Sequence, residues 1–242
     1  MTSKQDGAIF ELKASLITNS DLVGRTEIAE TNCGPIAICG TCRPALFRNL
    51  QVDQGLGHFS HYSSIIQRLE DFETIALLPG GRVTLGIEDP NIIVGYCVGS
   101  YPDSTDRGAA LGDLMYELAA VEVSRNYRGC KLGEKLLGTT MNDDFFEDKI
   151  AYMCGYSWHW DLEGKGLSAA QYRSMMKHLY GKFGFREVYT NEPNITLRAE
   201  NIMMIRVGLR VTPEDQMKFR HLRFGMKPIA DKKPTLPAAA NT

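Results

Sequence analysis

The sequence predicts an α/β (α+β) domain: a sheet with helices packed against it. Three observations point there. Residues 82–87 and 92–99 are two apolar, β-rich runs around Glu88, Asp89, Pro90 and Asn91, the pattern of a β-hairpin. Strand-like and helix-like periods then alternate to residue 224. The order is hairpin, strand, helix, strand, helix, strand, strand, which places helices on a mixed sheet.

Each element has its own signal. Residues 8–16 alternate loosely and predict a first strand. Residues 17–59 have poor periodicity and recurrent Gly and Cys, including Cys33, Cys39 and Cys42. Residues 60–73 place Ile65, Ile66, Leu69 and Phe72 on one helical face, and Gly80 and Gly81 mark a turn. Residues 114–123 predict a strand. Residues 133–142 begin a helix expected to reach about residue 146. Residues 149–156 predict another strand. Ser168 is a suitable N-cap for a helix over 168–182. Residues 185–189 and 202–207 predict late strands. Thr212 and Pro213 open a final helix over 213–224. The tail from Pro228 is rich in Ala, Lys and Pro, a composition that predicts disorder.

Bulk properties narrow the function. The chain has 242 residues, 43% of them hydrophobic and 23% charged. That length supports one sizeable domain with an accessory segment. The expected division is an extension over 1–60, a catalytic domain over 61–226 and a tail over 227–242. The formal net charge of −2 shows no basic excess of the kind nucleic-acid binding needs. The N-terminal residues lack a signal-peptide core, and no apolar run approaches the roughly 20 residues that span a bilayer. A soluble, cytoplasmic protein with six reduced cysteines is expected.

The most informative segment follows the strand over 116–123. Arg128, Gly129, Cys130, Lys131, Leu132 and Gly133 form a short turn that opens a helix. Such a turn gathers unpaired backbone N–H groups at the positive end of a helix dipole, which suits a diphosphate. Arg128 and Lys131 add cations. This stretch resembles the coenzyme A motif of the GCN5-related N-acetyltransferase (GNAT) superfamily, Arg/Gln-x-x-Gly-x-Gly/Ala, with Lys131 where the family usually has Gly. If that position is left-handed, Lys costs roughly 1 kcal/mol; if it is helical, a cation is gained. Leu179, Tyr180, Gly181, Lys182, Phe183, Gly184 and Phe185 resemble the superfamily's late motif.

A closer resemblance runs from about residue 58 to 224. Gly95-Tyr96, Tyr101-Pro102-Asp103, Glu117-Leu118, Glu122-Val123, Arg128-Gly129-Cys130, Trp158-His159-Trp160-Asp161-Leu162, Asn191-Glu192-Pro193 and Leu222-Arg223-Phe224 are similar to the acetoin-utilisation acetyltransferases. The resemblance implies a mixed, mostly antiparallel sheet with helices on both faces and acetyl-CoA as co-substrate. It implies acetylation of a protein lysine, as in acetyl-CoA synthetase. A small-amine acetyltransferase and a non-catalytic acetyl-CoA sensor are the alternatives.

Amide transfer from a thioester requires a base for the amine, polarisation of the carbonyl, an acid for the leaving thiolate and an anchor for the cofactor. Glu117 is the first choice for the base and Glu122 its rival. On a flat strand they point to opposite faces, so only one faces the cleft unless a bulge intervenes. The resemblance implies that backbone N–H groups near Val121 and Val123 polarise the carbonyl. Tyr180 is the candidate acid. Read as a strand, residues 158–161 place Trp158 and Trp160 on one face and His159 and Asp161 on the other. They either plug the sheet or form an acceptor wall contacting a lysine. Cys33, Cys39, Cys42, His58 and His61 raise a zinc site, but the spacing is poor and no metal is expected.

Overall fold

The computed structural model describes residues 24–57, 66, 68–88 and 91–226. The strand expected over 8–16, His58, His61 and the tail lie outside the described residues, as does most of the first turn of the helix expected over 60–73.

Among the described residues, nine strands form one sheet. They are β1 (Arg25–Thr31), β2 (Gly34–Gly40), β3 (Gln51–Val52), β4 (Arg82–Glu88), β5 (Ile92–Ser100), β6 (Met115–Val123), β7 (Ile150–Gly155), β8 (Arg186–Glu187) and β9 (Ile202–Val207). Their order is β1-β2-β4-β5-β6-β7-β9-β8, with β3 parallel to the start of β5. The other pairs are antiparallel except β6 with β7. The helices are α1 (Pro44–Phe47), α2 (Leu69–Leu77), α3 (Leu132–Met141), α4 (Leu162–Lys165), α5 (Ala169–Gly181), α6 (Pro193–Thr196) and α7 (Pro213–Leu222).

The boundary expected at residue 60 does not divide the packing. Ala37, Ile38 and Cys39 of β2 pair with Ile87, Gly86 and Leu85 of β4, so residues 25–40 extend the same sheet. Burial explains why periodicity failed to reveal β2, whereas β1 is exposed or half-buried except at Ala29. Residues 36–40 of β2 are buried without interruption, so the strand reads as a continuous apolar run rather than an alternation.

Helices cover both faces. On one, Leu132, Leu136 and Leu137 of α3 pack with Val94, Cys97, Tyr116 and Leu118. On the other, Phe72 of α2 packs with Val83, Leu85 and Tyr96, meeting Tyr96 edge-on at 5.2 Å. Further along that second face, Phe219 of α7 packs with Met115, Ile150 and Ile205. Ser168 and Thr212 cap α5 and α7 as their sequence positions predict, accepting from the N–H of Gln171 and Asp215. The helix expected to run to residue 146 ends at Met141 and a 3-10 turn follows. Its next residues, Asn142 and Asp143, leave the helical backbone.

Two irregularities in β6 create the site. Val98 pairs with Ala120, but Gly99 pairs with Leu118, which leaves Ala119 as an extra residue. This is a β-bulge, and it shifts side-chain parity by one. Meanwhile β6 pairs with β7 only from Met115 to Glu117, opposite Ile150 to Tyr152. Beyond Glu117 the two strands part, while β7 stays paired with β9 through Gly155.

The bulge needs glycine at position 99. A Cβ there would lie 2.4 Å from the Glu117 carbonyl oxygen and 2.7 Å from the Tyr116 ring. Gly99→Ala is therefore expected to destabilise the fold by about 1–3 kcal/mol, the usual range for overpacking. Urea unfolding of the variant against the parent checks this.

Candidate active site

The site is built from the bulged strand outward. β6 ends at Val123. Ser124 then caps a 3-10 turn, Arg125–Tyr127, accepting from the Asn126 N–H. Its hydroxyl donates to the Asp53 carboxylate, which also accepts from the Gly55 N–H at 2.9 Å. The loop after β3 thus braces the exit of β6. Gly129 follows with φ 83°, and Lys131 is left-handed at φ 61°, ψ 16° as the N-cap of α3. Lys131 therefore carries the strain expected of a side chain in that region, and its side chain is exposed. The first N–H groups of α3 have no acceptor within the helix and point toward the turn. Glu134 in that first turn meets Lys182 at 2.6 Å.

A cleft of about 470 Å³ runs from this turn between the parted strands. Leu118 to Val123 form one wall and Met153 to Tyr156 the other, with α5 as the roof. Every residue expected to hold a coenzyme lines it except Cys130. Cys130 is buried and joined to Cys33 as a disulfide, Cα–Cα 5.7 Å, tying the β1–β2 turn to residues 128–133. The expectation of six reduced thiols is corrected for this pair. Sequence separation of 97 residues hides such a contact.

The two candidate carboxylates lie on the same face. The bulge between them restores the parity that five residues would otherwise reverse. Glu122 opposes Tyr96 and Glu117 opposes Ser100, on the face away from α3. Their surroundings separate them. Glu122 accepts the Gly57 N–H at 2.6 Å and the Tyr96 hydroxyl. Glu117 sits where β6 and β7 part, beside Tyr152. Burial, then the Asp106 charge, push its carboxyl up to about 7, against a hydrogen bond with Tyr152 that lowers it. Glu117 lines a second cavity, of about 320 Å³, with Asp106, Glu192, Tyr152 and Tyr156. Cys154 and Tyr156 line both cavities, so the two meet at the free edge of β7.

Tyr180 lies on the other side of the sheet. It is buried in the α3 face, edge-on to Phe185 at 5.3 Å, and lines the larger cleft. Burial pushes its hydroxyl above the ordinary tyrosine range, so it keeps its proton at neutral pH.

Residues 157–161 depart from the strand reading. Residues Ser157–His159 form a 3-10 turn, and the two tryptophans diverge. Trp158 stacks on Tyr156 at 5.1 Å, while Trp160 is buried and stacks on Tyr172 at 5.0 Å. His159 reaches the cleft, and burial holds it below the usual histidine range. Asp161, expected beside an acceptor lysine, instead pairs with Arg128 at 2.6 Å and Arg125 at 2.9 Å.

No family model matches the chain. Curated relatives do. The chain is 38% identical to acetoin utilization protein AcuA of Bacillus subtilis over 62% of its own length and 71% of that protein. The figure for AcuA of Bacillus licheniformis is 36%, with the same coverage. The crystal structure of an acetoin utilization protein from Exiguobacterium sibiricum superposes with a TM-score of 0.75 at 30% identity, covering 83% of this chain and 94% of that one. The chain belongs to the AcuA family. Its mixed, mostly antiparallel sheet with helices on both faces is the architecture that the sequence resemblance implied.

Cys39 and Cys42 are buried in the α2 face, and Cys42 Sγ donates to the Cys39 carbonyl at 3.0 Å. Burial pushes Cys39 up to about 11 and Cys42 well above the ordinary thiol range, so both stay thiols. Among the described residues no three His, Cys, Asp or Glu side chains are placed to hold a metal ion. No helix among them is long and apolar enough to cross a membrane. Asp53, Tyr96 and Asp106 are the site neighbours that sequence reading missed. Each acts across the fold, and no local spacing announces it.

The turn yields a prediction. Lys131→Gly relieves the left-handed strain and is expected to raise stability by about 1 kcal/mol. The urea midpoint measures it; an unchanged or lower midpoint contradicts the strained geometry.

Proposed function

We propose that the protein is an acetyl-CoA-dependent N-acetyltransferase whose acceptor is a lysine side chain of a protein, as in acetyl-CoA synthetase. The observation that carries this reading is the pair of cavities meeting at Cys154 and Tyr156 beside the parted strands, with Glu117 on the wall of the smaller one and Glu122 on that of the larger. The larger cleft leads from an anion-binding turn and suits a long cofactor. The smaller one carries Asp106, Glu117 and Glu192 against Arg107 and Arg223; Glu192 is paired with Arg107 at 3.8 Å, which leaves Asp106 and Glu117 to meet a cationic amine.

The residues fit acetyl-CoA by the chemistry of their donors. The N–H groups of residues 129–133, with Arg128 and Lys131, present positive potential to the diphosphate. The unpaired edge of β6 beyond Glu117 leaves backbone N–H groups near Val121 and Val123 for the acyl carbonyl. Glu117 takes the proton of the incoming ammonium. The amine nitrogen then bonds to the acyl carbon, the C–S bond breaks, Tyr180 O–H protonates the departing sulfur, and the nitrogen releases its second proton to solvent, from which Tyr180 is reprotonated. Tyr180 keeps its proton near neutral pH, and Glu117 becomes the carboxylate as pH rises through about 7. Cys130 takes no covalent part.

Incubation with labelled acetyl-CoA and acetyl-CoA synthetase, read by mass spectrometry, tests the reading. One or more acetylated lysines is the expected result. Acetylation of a polyamine or an amino acid alone overturns the protein acceptor. Coenzyme A binding with no thiol released to any acceptor overturns catalysis.

Glu117 gives a pH prediction with a definite sign. The base works as the carboxylate, so kcat/KM rises with pH through about 7 and then levels. Glu117→Gln is expected to lower kcat by about 10²–10⁴-fold and to remove that limb. A raised carboxyl stabilises the fold fully below about 4.5 and loses that contribution as pH rises through about 7. The variant therefore gains melting temperature over the parent at pH 8 relative to pH 4. An unchanged pH limb in Glu117→Gln contradicts the assignment.

A further inference from the structure

Asp161 is one of the few buried carboxylates, with a side chain 3% exposed. A carboxylate so placed is costly unless it is fully partnered. Arg125 meets it twice, through Nε at 3.0 Å and a terminal nitrogen at 2.9 Å. Arg128 meets it at 2.6 Å, and the Gly164 N–H donates to it at 2.9 Å. Arg128 is itself 16% exposed and begins the turn that opens α3, whereas Arg125 is 41% exposed. Asp161 follows β7, across the gap from β6. The pair therefore ties the two walls of the cleft together at the turn end.

The cluster is tightly built. A Cβ on Gly164 would lie 2.2 Å from the Asp161 carboxylate and 2.8 Å from the Arg128 guanidinium. A side chain there would have to displace the pair. An arginine left to itself at this turn samples many rotamers, and ordering it on ligand binding costs free energy. A carboxylate that already holds it removes that cost and fixes the turn against the far wall.

We propose that Asp161 is a positioning residue for the cofactor turn, acting through Arg128 rather than on the acceptor. This rests on the assignment of residues 128–133 to the acetyl-CoA diphosphate. Asp161→Asn keeps an oxygen for the Gly164 N–H, so the cap of α4 survives while the charge goes.

Steady-state kinetics and calorimetric coenzyme A binding on the full chain test the proposal. Asp161→Asn is expected to raise KM for acetyl-CoA and Kd for coenzyme A about tenfold, the worth of one charge-assisted hydrogen bond. Its kcat at saturation stays within about twofold of the parent. In an Arg128→Ala background the same change adds less than about twofold, because the two act as one unit. Gly164→Ala is the second variant and reproduces the KM effect by displacing the pair, should Asp161→Asn lose its cooperative melt. A fall in kcat at unchanged KM overturns the proposal in favour of an acceptor role. Additive losses with Arg128→Ala, or tighter coenzyme A binding, overturn it as well. A parent protein that binds no coenzyme A overturns the cofactor reading itself, which separates the two failures.

Discussion

One extra residue in β6 governs the site. Ala119 has no partner of its own opposite Gly99, and every side chain before it changes face relative to every side chain after it. Without the bulge, Glu117 and Glu122 would lie on opposite faces, and Glu117 would point into the hydrophobic layer under α3. With it, Glu117 faces the smaller cavity while Leu118, Val121 and Val123 remain on the α3 side. The adjacent loss of pairing with β7 opens the sheet at the same residue. The two irregularities act together: one aims the carboxylate, the other gives it access.

The rest of the machinery is held by braces that reach this strand from elsewhere. The loop after β3 steadies its exit through Asp53 and Ser124. Tyr96 and Gly57 occupy Glu122. The Cys33–Cys130 disulfide anchors the turn from the sheet edge. These contacts offset the left-handed strain at Lys131, which persists because its surroundings determine it.

Much of this fold was legible in the sequence. The 82–99 hairpin, β6, β7, β9 and the capped helices α5 and α7 lie where period, N-cap and turn chemistry place them. Those signals are local, and local chemistry sets them. β2 escaped because it is buried without alternation, and β1 because only Ala29 of its residues is buried. Trp158 and Trp160 were misplaced because a 3-10 turn, not strand geometry, follows β7. The relation of Glu117 to Glu122 was not legible at all. A bulge depends on the partner strand, and only the fit of Gly99 against Glu117 reveals it. Asp161 was assigned to the acceptor for the same reason: its partners are 36 and 33 residues away, on the other wall of the cleft.

The central claim is that the parted strands separate a cofactor channel on the α3 side from an acceptor cavity on the Glu117 side. A crystal structure with bound coenzyme A tests it most directly. The account predicts the diphosphate on the N–H groups of residues 129–133 and the sulfur at the gap between β6 and β7, beside the bulge at Ala119. A diphosphate bound away from that turn, or a thiol that enters from the Glu117 side, would contradict it.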